Sequence, residues 1–440
     1  MKLSPNCEII KGDCSIVLDE LQDNTIDSLV TDPPYGLIEY DANVLVRCIN
    51  AWINGKRFMI NGTGFMGQDW DKWIPGPEIW RKCLRVMKPG AFGLVFAGSR
   101  TFDLMTLALR LSGFEIKDVL LWIYGSAMPK GLDVGKQLLD WKGWNTALKP
   151  AFEPIILIQK PKEGSFVDNI KKWGVGALNV GECRISIGSE APKQTLSHNT
   201  SASGRSLNRK NYDRFAYFSD TSKGRHPANL IFGYPEDTYQ LKNDILPAEL
   251  VIRNNHFQAN QYPLSTVIDD AIYQALPSVV QNCYVLLPNP GKDEVLQDLP
   301  ETTGGKMVHN ITAGARVFGN KGARTNYVTT RSEDDPGGSV IRFFKRIIYQ
   351  KKATNADRDE GGVKNLHPTV KPTDLMRYLI RLITPKNGIT LDTFMGSGST
   401  GKAALREDIR FYGIEQGEIT TAQRRLMYEI RVGKDVFNGL

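Results

Sequence analysis

A short stretch early in the chain combines groups that can bind and activate a planar amine. Asp32, Pro33, Pro34 and Tyr35 directly follow the apolar run IDSLV, which predicts a buried strand. Proline holds φ near about −65° and restricts the residue before it, so the two prolines fix the direction of the Asp32 side chain. That carboxylate and the Pro33 carbonyl can accept two N–H groups while the Tyr35 ring stacks on their plane. The alternative interpretation is a rigid turn with a surface carboxylate.

A second motif, near the C-terminus, is typical of nucleoside binding. In LDTFMGSGSTGKAAL an apolar strand ends at Phe394, and the turn Gly396-Ser397-Gly398 begins a helix. Glycine permits positive φ and close approach of a ligand, and a helix N-terminus offers free amides. Glu415 ends the next strand, FYGIE, where nucleoside-binding folds place an acid for the ribose hydroxyls. The turn alone is equally consistent with a tight strand–helix connection, and the lysine and spacing of a phosphate-binding P-loop are missing.

Alternating strand and helix patterns surround both motifs and would position them. Residues 1–160 contain apolar strand runs such as AFGLVFA and FEPIILIQ, separated by amphipathic helix patterns such as EIWRKCLRVMK. The pattern resumes at about residue 365 with the helix TDLMRYLIRLI. This order predicts an α/β fold with its functional groups at the carboxyl ends of the strands. Residues 161–364 are rich in Gly, Ser, Asn and basic side chains, which predicts a separate substrate-facing domain.

The net charge of +7 is the sum of segments that differ in sign. Residues 184–232, 302–331 and 341–358 each carry a net charge of about +5 and include aromatic side chains. Residues 234–301, in contrast, contain ten acidic and three basic side chains. Basic runs interleaved with aromatic residues favour a nucleic-acid partner over a merely solvated surface. The residues that we expect to contact phosphates are Arg205, Arg209, Lys210, Arg214, Lys223 and Arg225.

Composition limits the class of protein further. The 440 residues are 41% hydrophobic, and no apolar run approaches the roughly 20 residues that cross a bilayer. The N-terminal sequence MKLSPNCEIIKGD lacks the apolar core of a secretory signal, so we expect a cytoplasmic protein without a membrane partner. The six cysteines form neither a CxxC pair nor a Cys/His cluster, which predicts free thiols and no bound metal.

Together these segments resemble the beta-type, amino-methylating DNA methyltransferases that use S-adenosyl-L-methionine (AdoMet), in which DPPY precedes the target-recognition region and FxGxG follows it. The resemblance is carried by 147 of the 440 residues, in GDCSIVLDELQDNTIDSLVTDPPYGL, FMGQDWD, EIWRKCLRVMKPGAFGLVFAGSRTFD, YGSAMPKGLDVGK, ALKPAFEPIILIQKP, WGVGALNVGECRI, GRHPANLI and HPTVKPTDLMRYLIRLITPKNGITLDTFMGSGSTGKAAL. The chain departs from the family pattern at about residues 38–64 and 236–292, which look like insertions. Thr393 also replaces a proline that is more usual there.

The resemblance implies a circularly permuted, seven-strand Rossmann-like AdoMet methyltransferase domain with an inserted target-recognition domain. Residues 1–160 would form its catalytic half and residues 365–440 its AdoMet-binding half. Residues 161–364 would form the target-recognition domain, which contains the acidic insertion at 236–292.

The resemblance also assigns residues to the cofactor. Phe394, Gly396 and Gly398 would contact AdoMet, with Glu415 at its ribose and Asp13 at its adenine. The segment HPTVKP would line the methionine end, and three further residues next to the glycine-rich turn complete the set. These two groups are His367, Thr369 and Lys371, and Asp392, Ser397 and Ser399.

The implied reaction is direct methyl transfer to the N6 amine of an adenine flipped out of double-stranded DNA, with no covalent enzyme intermediate. Asp32, Pro33, Pro34 and Tyr35 would be its catalytic residues. The nearer alternative is the N4 amine of cytosine. An RNA or protein-glutamine methyltransferase and a non-catalytic DNA-binding relative are more remote alternatives. A homodimer and a cognate restriction endonuclease are further partners that the family allows.

Overall fold

A computed structural model places most of the strand–helix framework of the chain. It describes residues 1–37, 40–60, 71–124, 131–185, 194–197, 217–220, 224–234, 236–241, 267–269, 284–288, 301–302, 338–339, 345–348, 355–367 and 369–437. Among these residues, no helix is long and apolar enough to cross a membrane, and no cluster of His, Cys, Asp or Glu could hold a metal ion. The five cysteines in the described part are free and buried.

The chain divides into two compact units. One comprises residues 1–182, 229–297 and 346–440 and contains both motifs. The other comprises residues 183–228 and 298–345. The domain boundaries expected at residues 160 and 365 stay predictions.

The described strands are numbered in chain order. They are β1 (Lys2–Ser4), β2 (Cys7–Lys11), β3 (Ile26–Thr31), β4 (Met87–Phe96), β5 (Glu115–Ile123), β6 (Phe152–Gln159), β7 (Gln194–Ser197), β8 (Tyr217–Asp220), β9 (Leu230–Tyr234), β10 (Glu236–Leu241), β11 (Val267–Asp269), β12 (Tyr284–Pro288), β13 (Glu301–Thr302), β14 (Gly338–Ser339), β15 (Lys345–Ile348), β16 (Ile389–Asp392) and β17 (Arg410–Glu415).

The described α-helices follow the same scheme. They are α1 (Cys14–Glu20), α2 (Ala42–Ile53), α3 (Pro77–Val86), α4 (Phe102–Leu111), α5 (Phe166–Trp173), α6 (Asn355–Asp359), α7 (Thr373–Ile383), α8 (Ser399–Arg406) and α9 (Thr420–Phe437). Two short 3₁₀ helices, Val134–Lys136 and Leu139–Trp141, lie between β5 and β6.

The main sheet has ten strands in the order β1-β2-β17-β16-β3-β4-β6-β5-β9-β15. Seven strands that are neighbours in this sheet, β2-β17-β16-β3-β4-β6-β5, correspond to the predicted seven-strand sheet. Within them β6 is antiparallel to both β4 and β5, and the other neighbours are parallel. Three small antiparallel sheets are formed by β11-β10-β12, by β13-β14 and by β7-β8. This is a Rossmann-like α/β fold, as the sequence predicted.

The two C-terminal strands lie between N-terminal strands. β16 pairs in parallel with β3, where Leu391 lies opposite Leu29, and β17 pairs in parallel with β2. The Asp27 carboxylate strengthens the first pairing by accepting the Ile389 amide at 2.7 Å. Parallel strands end at the same edge of a sheet, so both sequence motifs come to one edge. Circular permutation stays an interpretation of this order.

Helices α1, α3 and α4 pack against the sheet through apolar faces. Trp80 and Cys83 of α3 are fully buried in this core. The predicted helix EIWRKCLRVMK is wrong in its last two residues, because α3 ends at Val86 and β4 begins at Met87. Met87 is buried and pairs with Ile26 of β3, so sheet hydrogen bonding overrides the local helix pattern.

Candidate active site

Two carboxylates lie at the ends of the adjacent strands β3 and β16. Asp32 follows β3, and Asp392 is the last residue of β16. The Thr31 hydroxyl donates to Asp392 Oδ1 at 2.7 Å and joins the two strand ends. The Thr400 hydroxyl donates to Asp392 Oδ2 at 2.5 Å, and the Phe394 amide donates to Oδ1 at 3.1 Å. Burial raises the pKa of Asp392 to about 6, although these donors oppose the shift.

The loop that follows β3 is fixed by hydrogen bonds from two other segments. Asp71 Oδ1 accepts the amides of Tyr35 at 2.7 Å and Gly36 at 2.8 Å. The Thr101 hydroxyl donates to the Tyr35 carbonyl at 2.6 Å. Of the two prolines in the loop, the first is buried and the second is half-buried. The rigid turn predicted from the prolines is therefore also held by side chains far away in the sequence.

Four side chains beside this loop form a hydrogen-bonded group, the Asp32 cluster, made of Asp32, Tyr35, Glu153 and Lys371. The Tyr35 hydroxyl lies 2.8 Å from Asp32 Oδ1 and 2.9 Å from Glu153 Oε2. Lys371 Nζ lies 2.5 Å from Asp32 Oδ2, 3.3 Å from the Tyr35 hydroxyl and 3.4 Å from Glu153 Oε2. The ammonium also lies 4.9 Å from the centre of the Phe96 ring.

Burial and charge shift the pKa values of two members of the Asp32 cluster. Burial raises the pKa of Tyr35 well above its ordinary value, and the carboxylates of Asp32 and Glu153 raise it further. Burial alone would lower the pKa of Lys371, but the same two carboxylates outweigh it and raise the pKa. Near neutral pH the phenol therefore keeps its proton and the ammonium keeps its charge.

The glycine-rich turn between β16 and α8 lies beside a carboxylate at the end of β17. Gly396 and Gly398 have φ values of 53° and 82°, in the region that favours glycine. Glu415 Oε2 accepts the Gly396 amide at 2.7 Å, and Oε1 accepts the Gly417 amide at 2.7 Å. A fixed carboxylate next to a turn with two glycines fits the ribose of a nucleoside cofactor.

His367 lies against the same turn. A Cβ atom added to Gly396 would be 3.3 Å from His367 Nε2, so glycine keeps this approach open. The Thr369 amide lies 3.3 Å from His367 Nδ1, and Arg358 donates to the His367 carbonyl at 2.7 Å. Burial lowers the pKa of His367, so its ring is neutral at pH 7. The ring is thus suited to contacting a cofactor rather than carrying charge.

A buried cation supports the turn from behind. Arg425 of α9 is 1% exposed, and its Nη1 donates to the Ser397 carbonyl at 2.7 Å. The same nitrogen lies 3.4 Å from the Ser399 hydroxyl, and Nη2 donates to the Asp357 carbonyl at 2.8 Å. Lys402, which is also buried, pairs with Asp357 at 2.5 Å. The two predicted cofactor serines therefore belong to a turn that a charged network holds in place.

The two remaining predicted cofactor residues lie close to these elements. Asp13 caps helix α1 by accepting the Ser15 amide at 2.8 Å. It follows β2, whose end lies beside that of β17, because Lys11 is opposite Glu415. The Phe394 ring contacts Trp80 edge to face. The two acceptor carboxylates near the glycine-rich turn, Asp13 and Glu415, thus fit the hydroxyls and the amine of a nucleoside.

Most of the predicted DNA-contacting residues lie outside the described part of the chain. These are Arg205, Arg209, Lys210, Arg214 and Lys223. Arg225 is described, and its backbone pairs with Ile185 through two hydrogen bonds of 2.8 and 3.0 Å. The prediction that this segment binds DNA therefore stays a prediction.

Sequence reasoning missed two acids of the site and one contact of Lys371. Glu153 was not singled out, although it is the acid at the start of the otherwise apolar strand FEPIILIQ. The resemblance assigns no role to Asp71, the last residue of FMGQDWD, yet its carboxylate accepts the loop amides. Lys371 was assigned to the cofactor, and the structure places its ammonium on Asp32. Only an isolated charge in a buried strand could have drawn attention to Glu153.

Comparison with known proteins adds independent information. A family model described as DNA methylase (N6_N4_Mtase) matches residues 26–423. The type II methyltransferase M.HindIII of Haemophilus influenzae is 30% identical over 201 residues, which are 39% of this chain and 64% of that protein. The type II methyltransferase M2.MboI of Moraxella bovis is 42% identical over 154 residues, which are 28% of this chain and 56% of that protein. The chain thus spans less than two thirds of either relative.

Among solved structures, the M1.HpyAVI–SAM complex is similar with a TM-score of 0.37 and 13% sequence identity, covering 96% of this chain and 98% of that chain. The family match, in contrast, extends from the start of β3, ahead of the DPPY loop, into the C-terminal helix α9. The chain therefore belongs to the N6/N4 DNA methylase family.

Proposed function

We propose that the protein transfers a methyl group from AdoMet to the N6 amine of an adenine flipped out of double-stranded DNA. The observation that carries the proposal is that Asp32 and Tyr35 follow β3, the strand that pairs with β16, which leads into the glycine-rich turn. A hydrogen bond from Thr31 to Asp392 joins the strand ends that carry the two motifs. An amine acceptor and a nucleoside-binding turn at one sheet edge support methyl transfer between the two ligands.

Bound AdoMet would supply an electrophilic methyl group on its sulfonium sulfur. The chain's own residues orient the amine that attacks it. The adenine amine is conjugated with the ring, so acceptors for both N–H groups, Asp32 and the Pro33 carbonyl, increase the electron density on nitrogen. Transfer would form the N–C bond as the S–C bond breaks, and Asp32 would accept the proton that the methylated amine then loses. Tyr35 offers an aromatic face on which the flipped base stacks.

The residues around the glycine-rich turn would hold the cofactor. Gly396 and Gly398 admit it close to the backbone, and the Glu415 carboxylate accepts hydrogen bonds from its ribose hydroxyls. Asp13 would contact the adenine side, and His367 the methionine side. Flipping the target base costs a few kcal/mol, roughly, which phosphate contacts from the basic segment would offset.

Adenine is proposed over cytosine because the first residue of the catalytic motif is Asp32, whereas N4-cytosine members of the family more often carry Ser there. N4 of cytosine is the second candidate, since both amines are planar, conjugated and of similar size. A cognate restriction endonuclease and a homodimer stay predictions.

Nucleoside analysis tests the proposal. The purified protein is incubated with AdoMet and unmethylated plasmid, and the DNA is digested and analysed by mass spectrometry. We expect N6-methyladenine from the wild type and none from Asp32→Ala, with AdoMet affinity nearly unchanged, because Asp32 acts mainly as charge develops on the amine. Asp19→Ala is the matched control, because Asp19 is an exposed partner of Lys82. N4-methylcytosine would overturn the base assignment, and an active Asp32→Ala protein would overturn the mechanism.

A further inference from the structure

The Lys371 ammonium is hydrogen-bonded to the Asp32 carboxylate, on which the proposed reaction depends. Asp32 Oδ2 lies 2.5 Å from Lys371 Nζ, and Asp32 Oδ1 lies 2.8 Å from the Tyr35 hydroxyl. Both oxygens of Asp32 therefore lie within hydrogen-bonding distance of a donor in the protein. An ammonium at this distance also neutralises most of the negative charge that the target amine would use. As long as Lys371 stays in this position, Asp32 is a weak acceptor for an amine.

The Tyr35 hydroxyl cannot serve both carboxylates of the cluster at once. It has one proton, and it lies 2.8 Å from Asp32 Oδ1 and 2.9 Å from Glu153 Oε2. One carboxylate must therefore take its hydrogen bond from Lys371, which lies within 3.4 Å of both. Two complementary pairings of these donors and acceptors are compatible with the distances. In one, Lys371 binds Asp32 and Tyr35 donates to Glu153, and in the other the two donors are exchanged.

We propose that Glu153 is a positioning residue: when the target amine binds at Asp32, the Lys371 ammonium leaves Asp32 and pairs with Glu153. This rests on the proposed function, since it concerns the same amine acceptor. The move is small, because Lys371 Nζ is already 3.4 Å from Glu153 Oε2. The Lys371 side chain is 7% exposed and that of Glu153 22% exposed, so the exchange takes place largely out of water, where charge pairing is strong.

Charge balance explains why the cluster contains a second acid. With Asp32 and Glu153 ionised and Lys371 charged, the cluster carries one net negative charge. The amine becomes positive in the transition state, and it can then pair with Asp32 while Lys371 pairs with Glu153. Without Glu153, the lysine would stay on Asp32 and compete with the substrate. Glu153 thus determines how much of the Asp32 charge is available to the reaction.

The test compares single and double variants of the full-length protein by tritium incorporation from AdoMet into plasmid DNA, counted whichever base is modified. We expect Glu153→Gln to lower kcat about 10- to 100-fold with unchanged AdoMet affinity, because Lys371 then stays on Asp32. Adding Lys371→Met to Glu153→Gln should restore about tenfold or more, because the competing cation is gone. Glu115→Gln, on an exposed residue of β5 that pairs with Lys117, is the matched control and should keep full turnover.

A conservative variant separates charge from packing. Glu153→Asp keeps the charge but is smaller, so it should retain more turnover than the equal-sized Glu153→Gln. A packing role would give the opposite order. The inference is overturned if Glu153→Gln keeps kcat within about twofold of the wild type, or if the double variant is no faster than Glu153→Gln. A wild-type protein that transfers no methyl group to DNA would instead refute the proposed function and this inference with it.

Discussion

A substitution of Glu415 tests the cofactor site directly, because both hydrogen-bond partners of its carboxylate in the protein are known. Its two oxygens accept the amides of Gly396 and Gly417, each at 2.7 Å. Each oxygen has a second lone pair, which is free to accept a ribose hydroxyl of AdoMet. Replacing Glu415 with alanine therefore removes the support of the turn and the expected ribose contact together.

The magnitude follows from the number and kind of bonds. A hydrogen bond to a charged group contributes about 1.5–3 kcal/mol, and Glu415 is only half-buried, so we expect Glu415→Ala to weaken AdoMet binding by about 1–3 kcal/mol. This raises Kd roughly 5- to 150-fold. Glu415→Gln keeps one carbonyl acceptor but loses the charge, and its Kd should rise about fivefold. The lost bonds to Gly396 and Gly417 should appear separately, as a lower Tm of the cofactor-free protein.

Titration calorimetry with AdoMet measures the binding, and thermal unfolding without AdoMet measures the stability. Glu418→Gln is the matched control, because Glu418 lies three residues away, is exposed and bonds to Thr420 rather than to the turn. We expect the control to bind as the wild type does. An unchanged affinity in Glu415→Ala would refute the ribose assignment, and an unchanged Tm would refute the supporting role of the carboxylate.

Two further predictions address DNA binding and pH. Reversing the charges of three residues of the basic segment should flatten the dependence of DNA affinity on salt, because each phosphate contact releases counterions. Fluorescence anisotropy at several salt concentrations measures this dependence. An unchanged slope would mean that the segment is a solvated surface and does not contact phosphates. These residues are Arg205, Arg209 and Lys210. The pKa of Asp392 is raised from 3.8 to about 6 in the folded protein, so its contribution to stability is lost as pH rises between these values, because the native state then binds more protons than the unfolded one. Asp392→Asn should remove this component, so the free energy of unfolding of the variant relative to the wild type, measured by denaturant titration, should rise between pH 4 and pH 7 by an amount on the order of a few kcal/mol. A constant difference would contradict the assignment.

The family and the fold could be predicted from the sequence because their signals are local. An apolar run before Asp32 and another before Phe394 predict strands, and the polar residues that follow predict functional strand ends. Strand–helix alternation on both sides of residues 161–364 predicted the α/β fold, which the ten-stranded sheet confirms. The physical basis is that burying one face of a helix or strand requires apolar residues at a regular spacing, and that turns require residues such as glycine and proline.

Boundaries were less predictable where local and long-range preferences compete. The residues before Pro89 continue the helical pattern of α3, yet Met87 belongs to β4. Its burial and its pairing with Ile26 are interactions between segments far apart in the chain, and no local pattern contains them.

The sequence by itself determined which residue types stand at the strand ends, and so the chemistry available to the protein. Only the tertiary structure decided which charges surround Asp32. Lys371 is 339 residues away from it in the chain, and Glu153 reaches the Tyr35 hydroxyl across 118 residues. These contacts exist because β16 inserts beside β3 and β6 lies on the far side of β4, which aligns their ends at one edge of the sheet. Residue spacing gives a periodicity and a face, but the approach of two charges to hydrogen-bonding distance depends on how the strands pair.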